Sequence, residues 1–235
     1  MFFDWTYVVL VLPCVFLSLW ASASVNSTFQ KYSAQHSRRG ITGAQAAERV
    51  LRANGVSGVR VERISGKLTD HYDPRTNVIR LSDSVYDSTS TAAIGVACHE
   101  AGHAVQYAQS YGPIKLRAAI IPVTNLGSKL AMPLILVGLL LSAFEGLSFG
   151  FVYLGIGCFG LSLLFQLITL PVEFNASRRA LSAIESGELL TQEEARGARK
   201  TLTAAAMTYV AATAVSLAQL LRLLLIFGGG RRRRN

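Results

Sequence analysis

Charged residues are scarce in this chain of 235 residues, and cysteines are scarcer still. Only 16% of the residues are charged, whereas about a quarter are charged in a typical soluble domain. The three cysteines, Cys14, Cys98 and Cys158, cannot all pair within one chain, and two of them lie in apolar runs. The composition therefore argues against a disulfide-stabilised domain and against an ordinary soluble globular protein.

Acidic residues are also few, which leaves a formal net charge of +9. A nucleic-acid-binding protein concentrates its lysines and arginines on one face, with aromatic residues between them. Here the basic residues instead flank the apolar runs, as Lys31, Arg38 and Arg39 do after the first run. The charge pattern therefore argues against nucleic acid as a partner.

Two apolar runs are long enough to cross a lipid bilayer. Thr6–Val25 has no charged residue over 20 positions, and Leu147–Val172 has none over 26. About 20 apolar residues span the hydrocarbon core of a bilayer. Asp4, with no lysine or arginine before the first run, is unlike the start of a cleaved signal peptide, so we expect a retained helix. The sequence predicts an integral membrane protein.

Two weaker apolar runs leave the number of membrane helices open at three or four. Ala118–Phe144 contains one lysine and would form a membrane hairpin with the strong run that follows it, turning at Glu145–Gly146. Thr203–Phe227 contains Arg222 and precedes a tail of four arginines. The positive-inside rule predicts a cytoplasmic location for the polar segments, because most other basic residues accompany them. A fourth crossing would place the arginine tail on the opposite side.

Residues 26–117 have the pattern of a water-facing α+β domain. Thr42 begins a predicted capping box at a helix start. Alternating side chains predict a strand over residues 59–64, and turn residues predict a hairpin over 67–82. The second strand of that hairpin, Val78–Ser82, precedes the most informative helix. It is a candidate edge for binding an extended peptide, with a plain structural strand as an equal alternative.

The helix that follows contains VACHEAGHAVQYA, residues 96–108. Residues i and i+4 lie on one face of a helix, so His99 and His103 can direct imidazole nitrogens at one ion. Glu100 lies about 100° around the helix, where its carboxylate can accept a proton from a water beside the ion. This HExxH pattern is typical of zinc peptidases. Gly102 inside the motif allows another backbone to approach closely.

A catalytic zinc ion has three protein ligands and one open position, so a third ligand is needed. Glu173 is favoured because it follows a strong apolar run, where a carboxylate requires a partner. An ion pair with Arg178 or Arg179 is the alternative explanation of Glu173. The other candidate ligands on the same side of the membrane are His36, Asp70, His71, Asp73 and Glu185.

The segments HEAGHAVQ and LPVEFNASRRAL, with an apolar hairpin between them, resemble the YugP-type membrane zinc metallopeptidase family. The likeness runs nearly end to end and is distantly shared with the CAAX prenyl protease and HtpX-like peptidases, which are gluzincins. The resemblance implies one Zn²⁺ per chain, with His99, His103 and Glu173 as its ligands and Glu100 as the general base.

One position departs from those distant relatives. They carry an aspartate four residues after the glutamate ligand, and this chain carries Ser177 there. Ser177 and Asn175 are therefore candidates for supporting the ligands or for contacting the substrate, and so is His71. His71 or Tyr209 could also stabilise the oxyanion of the reaction, although a surface histidine and a membrane tyrosine are the simpler interpretations.

The sequence therefore predicts a mainly α membrane protein with three to four transmembrane helices and a small α+β zinc-peptidase domain of gluzincin type. We expect it to lie in a bacterial cell membrane and to hydrolyse peptides or membrane proteins near the bilayer with a zinc-activated water. A non-catalytic zinc-bound membrane scaffold is the alternative, and a transport component is a weaker one; oligomeric partners are not indicated. The predicted segments are an N-terminal transmembrane helix (1–25), the α+β domain (26–117), a transmembrane hairpin (118–171), the third-ligand segment (172–201), a C-terminal apolar helix (202–227) and a basic tail (228–235).

Overall fold

The computed structural model describes residues 4–141 and 145–228. These residues form six α-helices and one sheet of three strands. A π-helical turn, Tyr7–Val11, leads directly into the first helix. In chain order the elements are α1 (Leu12–Ser33), α2 (Gly43–Ala53), β1 (Arg60–Ile64), β2 (His71–Asp73), β3 (Val78–Ser82), α3 (Thr91–Ala108), α4 (Gly112–Leu140), α5 (Glu145–Ser186) and α6 (Gln192–Gly228).

Four of the helical segments are long and apolar enough to cross a membrane. They are Tyr7–Ser33, Gly112–Leu140, Gly146–Ser186 and Gln192–Gly228. The prediction of a mainly helical membrane protein is confirmed to this extent, and the final apolar run belongs to the set of four candidates. Residues 142–144 and the arginine tail lie outside the described residues. Glu145–Gly146, predicted as the turn of the hairpin, instead form the beginning of α5.

The chain folds into two compact units. The apolar unit consists of Met1–Trp20, Leu116–Leu170 and Tyr209–Asn235, and the mixed unit consists of Ala21–Lys115 and Pro171–Thr208. α5 passes from the apolar unit to the mixed unit at Pro171 without ending there. The mixed unit therefore contains most of the predicted α+β domain (26–117). It also contains Pro171–Thr208, which includes the end of α5 and the start of α6.

The sheet of the mixed unit has the strand order β1-β3-β2. β3 pairs in parallel with β1 and antiparallel with β2, so the predicted strand and the predicted hairpin are both present. The prediction that Val78–Ser82 offers a free edge to a substrate is wrong, because this strand is central. Beyond the end of β2, the backbone N–H of Ser82 donates to the Asp70 carboxylate at 2.7 Å, so this part of β3 is also occupied.

Local signals define the helix starts of the mixed unit. Thr42 forms a complete capping box at the start of α2, and Ser90 caps α3 by accepting a hydrogen bond from the N–H of Ala93. α3 is buried along most of its length and is rich in alanine, which lets neighbouring helices approach closely. A Cβ atom on Gly102 would lie 2.8 Å from the carbonyl oxygen of Ala176. The expected close approach of another backbone at Gly102 is therefore confirmed, and the neighbour is α5.

A partly buried ion pair joins the start and the end of the apolar unit. Arg222 of α6 donates to the Asp4 carboxylate at 3.1 Å, and its guanidinium lies 5.4 Å from the centre of the Tyr7 ring. Hydrogen bonds from the Thr6 hydroxyl, the Tyr7 N–H and Arg222 lower the pKa of Asp4 to about 2. The last turns of α6 therefore lie against the beginning of the first apolar helix. This contact agrees with the assignment of the last part of α6, from Tyr209 onwards, to the apolar unit.

Candidate metal centre

Two helices of the mixed unit bring three ligand-type side chains together. His99 and His103 lie one turn apart on α3, and Glu173 lies on α5. The Glu173 Oε2 atom is 3.3 Å from His99 Nε2 and 3.5 Å from His103 Nε2. The candidate ligand atoms all lie within 4.8 Å of one another. Glu173 is only 2% exposed, so its carboxylate is held against the two imidazoles.

This arrangement fits a zinc ion. Ligand atoms about 2.05 Å from a tetrahedral ion stand about 3.3 Å apart, close to the two spacings measured from Glu173. Two imidazoles and one carboxylate are also a donor set of catalytic zinc sites, which leave the fourth position for water or substrate. Within the described residues, these three side chains form the one such cluster of potential ligands.

The other candidate third ligands are engaged elsewhere or lie apart from this cluster. Asp70 accepts hydrogen bonds from Ser82, Asp73 accepts from Thr76 and Arg80, and Glu185 pairs with Arg199 at 2.7 Å. His36 lies beside Thr89, and His71 is exposed on β2 with its Nδ1 atom 2.8 Å from the Thr69 carbonyl oxygen. Tyr209, which the sequence offers as an oxyanion stabiliser and not as a ligand, lies on α6.

The alternative explanation of Glu173, an arginine partner, does not match the position of Arg179. That guanidinium donates to the side-chain oxygens of Asn175 and Gln109, at 2.8 and 2.7 Å. Arg178 is exposed. The Glu173 carboxylate faces the two histidines, which is the arrangement that a shared cation requires.

Glu100 follows His99 on α3 and is 9% exposed. No side chain in the described ranges donates a hydrogen bond to its carboxylate, which leaves that carboxylate available to a water molecule. Burial raises the pKa of nearby Asp70 and the negative charge of Glu100 adds to this rise, while hydrogen bonds from Ser82 oppose it. The candidate base therefore has a second carboxylate in its surroundings.

The far side of the His103 ring is held by a residue that the sequence analysis missed. His103 Nδ1 is 3.0 Å from the side-chain oxygen of Gln106, which is completely buried. Burial alone would lower the pKa of His103, but the hydrogen bond with Glu173 and the charges of Glu100 and Glu173 raise it overall. The available signal was a glutamine three positions after His103, on the same face of an otherwise apolar helix.

Ser177 and Asn175 are the two residues of α5 that the sequence offers as supports for the ligands. One of them contacts a candidate ligand, and the other contacts Gln106. The Ser177 hydroxyl is 3.1 Å from His99 Nδ1, so the residue that stands in place of the relatives' aspartate does touch a candidate ligand. Asn175 does not touch a ligand directly; its side-chain oxygen accepts from Gln106 at 2.9 Å. Outer partners of this kind orient metal-binding histidines.

Comparison with known proteins finds similarity along almost the whole chain. Residues 7–228 match the family model described as "Putative neutral zinc metallopeptidase". The chain is 48% identical over 225 residues to "Putative membrane protease YugP" of Bacillus subtilis (strain 168), which covers 96% of this chain and 98% of that relative. No solved structure matches the chain significantly. The resemblance seen in the motifs is thus confirmed, and the chain belongs to this family of zinc metallopeptidases.

Proposed function

We propose that this protein is a membrane-anchored zinc endopeptidase that hydrolyses peptide bonds close to the membrane surface. The observation that carries the proposal is the convergence of His99 Nε2, His103 Nε2 and Glu173 Oε2 at spacings that suit a tetrahedral ion. Glu100 lies on the same helix, directly after His99, and its carboxylate accepts no side-chain hydrogen bond from the part of the chain that the structure describes. The family description and the name of the Bacillus subtilis relative support the same activity.

The chemistry follows from these side chains. His99, His103 and Glu173 would hold one Zn²⁺ per chain, and bound zinc lowers the pKa of water to about 7 and polarises carbonyl oxygens. The Glu100 carboxylate accepts the proton of the water that attacks the peptide carbonyl carbon. When the carbon–nitrogen bond breaks, Glu100 returns this proton to the leaving amine nitrogen. One water molecule is consumed for each peptide bond that is hydrolysed.

The chain order supports a site near the bilayer. Glu173 comes three residues after Leu170, the last residue of α5 in the apolar unit. Three residues of helix correspond to about 4.5 Å along its axis. We therefore propose peptides at the membrane surface and membrane proteins as the substrate class. The basic residues that accompany the polar segments support a cytoplasmic location for the mixed unit.

A non-catalytic zinc-bound scaffold is the second candidate function. The same three ligands would serve it, but such a scaffold has no need of a carboxylate at residue 100. The two candidates therefore differ in what Glu100 does rather than in whether zinc is bound.

The Glu100→Gln substitution tests this difference. We expect about one zinc per chain in both proteins and at least about 100-fold slower casein hydrolysis by the variant, because general-base catalysis is lost. Zinc is measured by elemental analysis on the samples used for hydrolysis. Glu185→Gln is the matched control, because Glu185 is an exposed carboxylate on α5 that pairs with Arg199.

Three results would contradict the proposal at different points. Zinc without hydrolysis in the unaltered protein would favour the scaffold. Undiminished hydrolysis by Glu100→Gln would remove Glu100 from the reaction. Absence of zinc after a chelator-free purification would contradict the metal centre itself.

A further inference from the structure

We infer that Gln106 is a positioning residue of the metal centre. It holds the His103 ring with a proton on Nδ1 and with Nε2 turned towards Glu173, and it is itself held by α5. This inference rests on the proposed zinc site, but it concerns how the site is kept in shape rather than the hydrolytic reaction.

The direction of the Gln106 amide follows from its partners on α5. Its side-chain nitrogen lies 2.8 Å from the carbonyl oxygen of Val172 and 2.9 Å from the side-chain oxygen of Asn175. A backbone carbonyl can only accept a hydrogen bond, so the amide NH₂ must be the end that faces Val172. The amide oxygen is therefore the end that faces His103.

That direction determines the state of the His103 ring. An amide oxygen accepts hydrogen bonds but cannot donate them, so His103 Nδ1 must carry the hydrogen at the 3.0 Å contact. When Nδ1 carries the proton of a neutral imidazole, the lone pair is on Nε2. This is the nitrogen that faces Glu173 Oε2 at 3.5 Å, where a metal ligand is required.

The hydrogen bonds of Gln106 continue through Asn175 to Arg179. Asn175 accepts from Gln106 and from Arg179 Nε, and Arg179 Nη1 donates to Gln109 at the end of α3. Arginine can only donate, so the orientation of the Asn175 amide is also determined. The amides of Gln106 and Asn175 thus have one permitted orientation each, and Gln106 is completely buried, which makes an unpaired orientation costly.

His99 has a weaker form of support. Its Nδ1 atom faces the Ser177 hydroxyl at 3.1 Å, and a hydroxyl can donate or accept. Ser177 therefore permits either proton position on the His99 ring, whereas Gln106 permits one on His103. The geometry points to Gln106 as the main source of ring orientation in this centre.

The Gln106→Leu substitution tests the inference, with Gln109→Leu as the matched control. The control removes the outer contact of Arg179 without touching His103. We expect the zinc dissociation constant of Gln106→Leu to rise about 10- to 100-fold, the usual cost of losing an outer partner of a ligand, and that of the control to stay near the original value. Competition with a chelating dye measures the constants, and visible spectra of the Co²⁺-substituted proteins report the coordination geometry.

An altered Co²⁺ spectrum with weaker zinc binding in Gln106→Leu alone would support the inference. An unchanged zinc constant and an unchanged spectrum would overturn it, even if the unfolding temperature fell, because Gln106 would then only join α3 to α5. If Gln106→Leu does not fold, Asn175→Leu decides in the same way, since it removes a partner that orients the amide.

The outcome is separable from that of the proposed function. Normal zinc binding without casein hydrolysis by the unaltered protein would contradict the proposed peptidase activity. The inference on Gln106 would still be decided by the zinc dissociation constants of the variants. Failure of the unaltered protein to bind either metal would overturn both.

Discussion

Arg222 and Glu173 are ionisable side chains buried in long apolar helices of this protein, one in each unit, and their surroundings differ. Arg222 in the apolar unit is 7% exposed and is paired with Asp4. Glu173 in the mixed unit is 2% exposed and is placed against two imidazoles. Each helix thus contains a charge in a place where charge is costly.

The difference lies in the kind of partner. The positive charge of Arg222 faces the negative charge of Asp4, which forms an ordinary ion pair. Glu173 faces the Nε2 atoms of two imidazoles at 3.3 and 3.5 Å, and all three are atoms that can bind a metal ion. Burial of a charge alone is therefore not a sign of function, whereas a buried carboxylate that converges with two imidazoles indicates a candidate metal site.

Of the substitutions that distinguish the metal centre from the Arg222–Asp4 ion pair, Glu173→Ala is expected to have the largest effect. Loss of a ligand should weaken zinc binding by more than the roughly 100-fold cost of losing an outer partner, and casein hydrolysis should disappear with the metal. Elemental analysis and hydrolysis on the same samples measure both. Glu185→Ala on the same helix should retain both properties. Zinc retained at one per chain in Glu173→Ala would assign the third ligand to another residue.

Acidification should release zinc from the metal centre and leave the Arg222–Asp4 ion pair intact. Zinc requires neutral imidazoles, and the pKa of His103 in the metal-free protein is raised, so protons compete with zinc from near neutral pH downwards. The pKa of Asp4 is lowered to about 2 from 3.8. The stability that its charge contributes is present above its unfolded pKa and is lost only as the pH falls through about 2.

We therefore expect zinc release to begin above the ordinary histidine pKa of about 6.5. It should be complete before the pH reaches the pKa of Asp4, about 2, while the apolar unit stays folded. A zinc-sensitive dye measures the release. Trp5 and Trp20 are the two tryptophans of the chain and both belong to the apolar unit, so their fluorescence reports its state. Simultaneous zinc release and a change in tryptophan fluorescence would contradict the separation of the two groups.

The smallest effect is expected from Asp4→Asn. This change removes the negative charge beside Arg222 and should lower the unfolding temperature by about 2–4 °C, the scale of a modest stability loss in a chain of this size. Zinc content and hydrolysis should not change, because Asp4 has no part in the metal centre. Asp83→Asn is a control on an exposed carboxylate paired with Arg63. Loss of zinc from Asp4→Asn would show that the ion pair is needed by the site.

Features that depend on neighbouring residues were predictable from the sequence. The helix starts at Thr42 and Ser90 follow from a side chain and the backbone within three residues of it. The apolar runs follow from length and composition alone. His99 and His103 share a helix face because of helical periodicity, which needs no knowledge of the rest of the fold.

Features that depend on distant pairing were not predictable in the same way. The expectation that Val78–Ser82 is an edge strand failed because β1 pairs with it in parallel, a contact that local alternation does not indicate. Gln106 was overlooked because its partners, Val172 and Asn175, are more than sixty residues away on α5. A buried glutamine has no local pattern that reveals which way its amide points.

Residue types and the helical repeat are enough to predict apolar helices of membrane length, a shared face for His99 and His103, and Glu100 beside them. The meeting of Glu173 with those histidines, the central position of β3 and the contact of Gln106 with His103 became visible only in the fold. Each of these depends on the packing of α3 against α5 or of one strand against another, and such packing is set by side chains far apart in the chain.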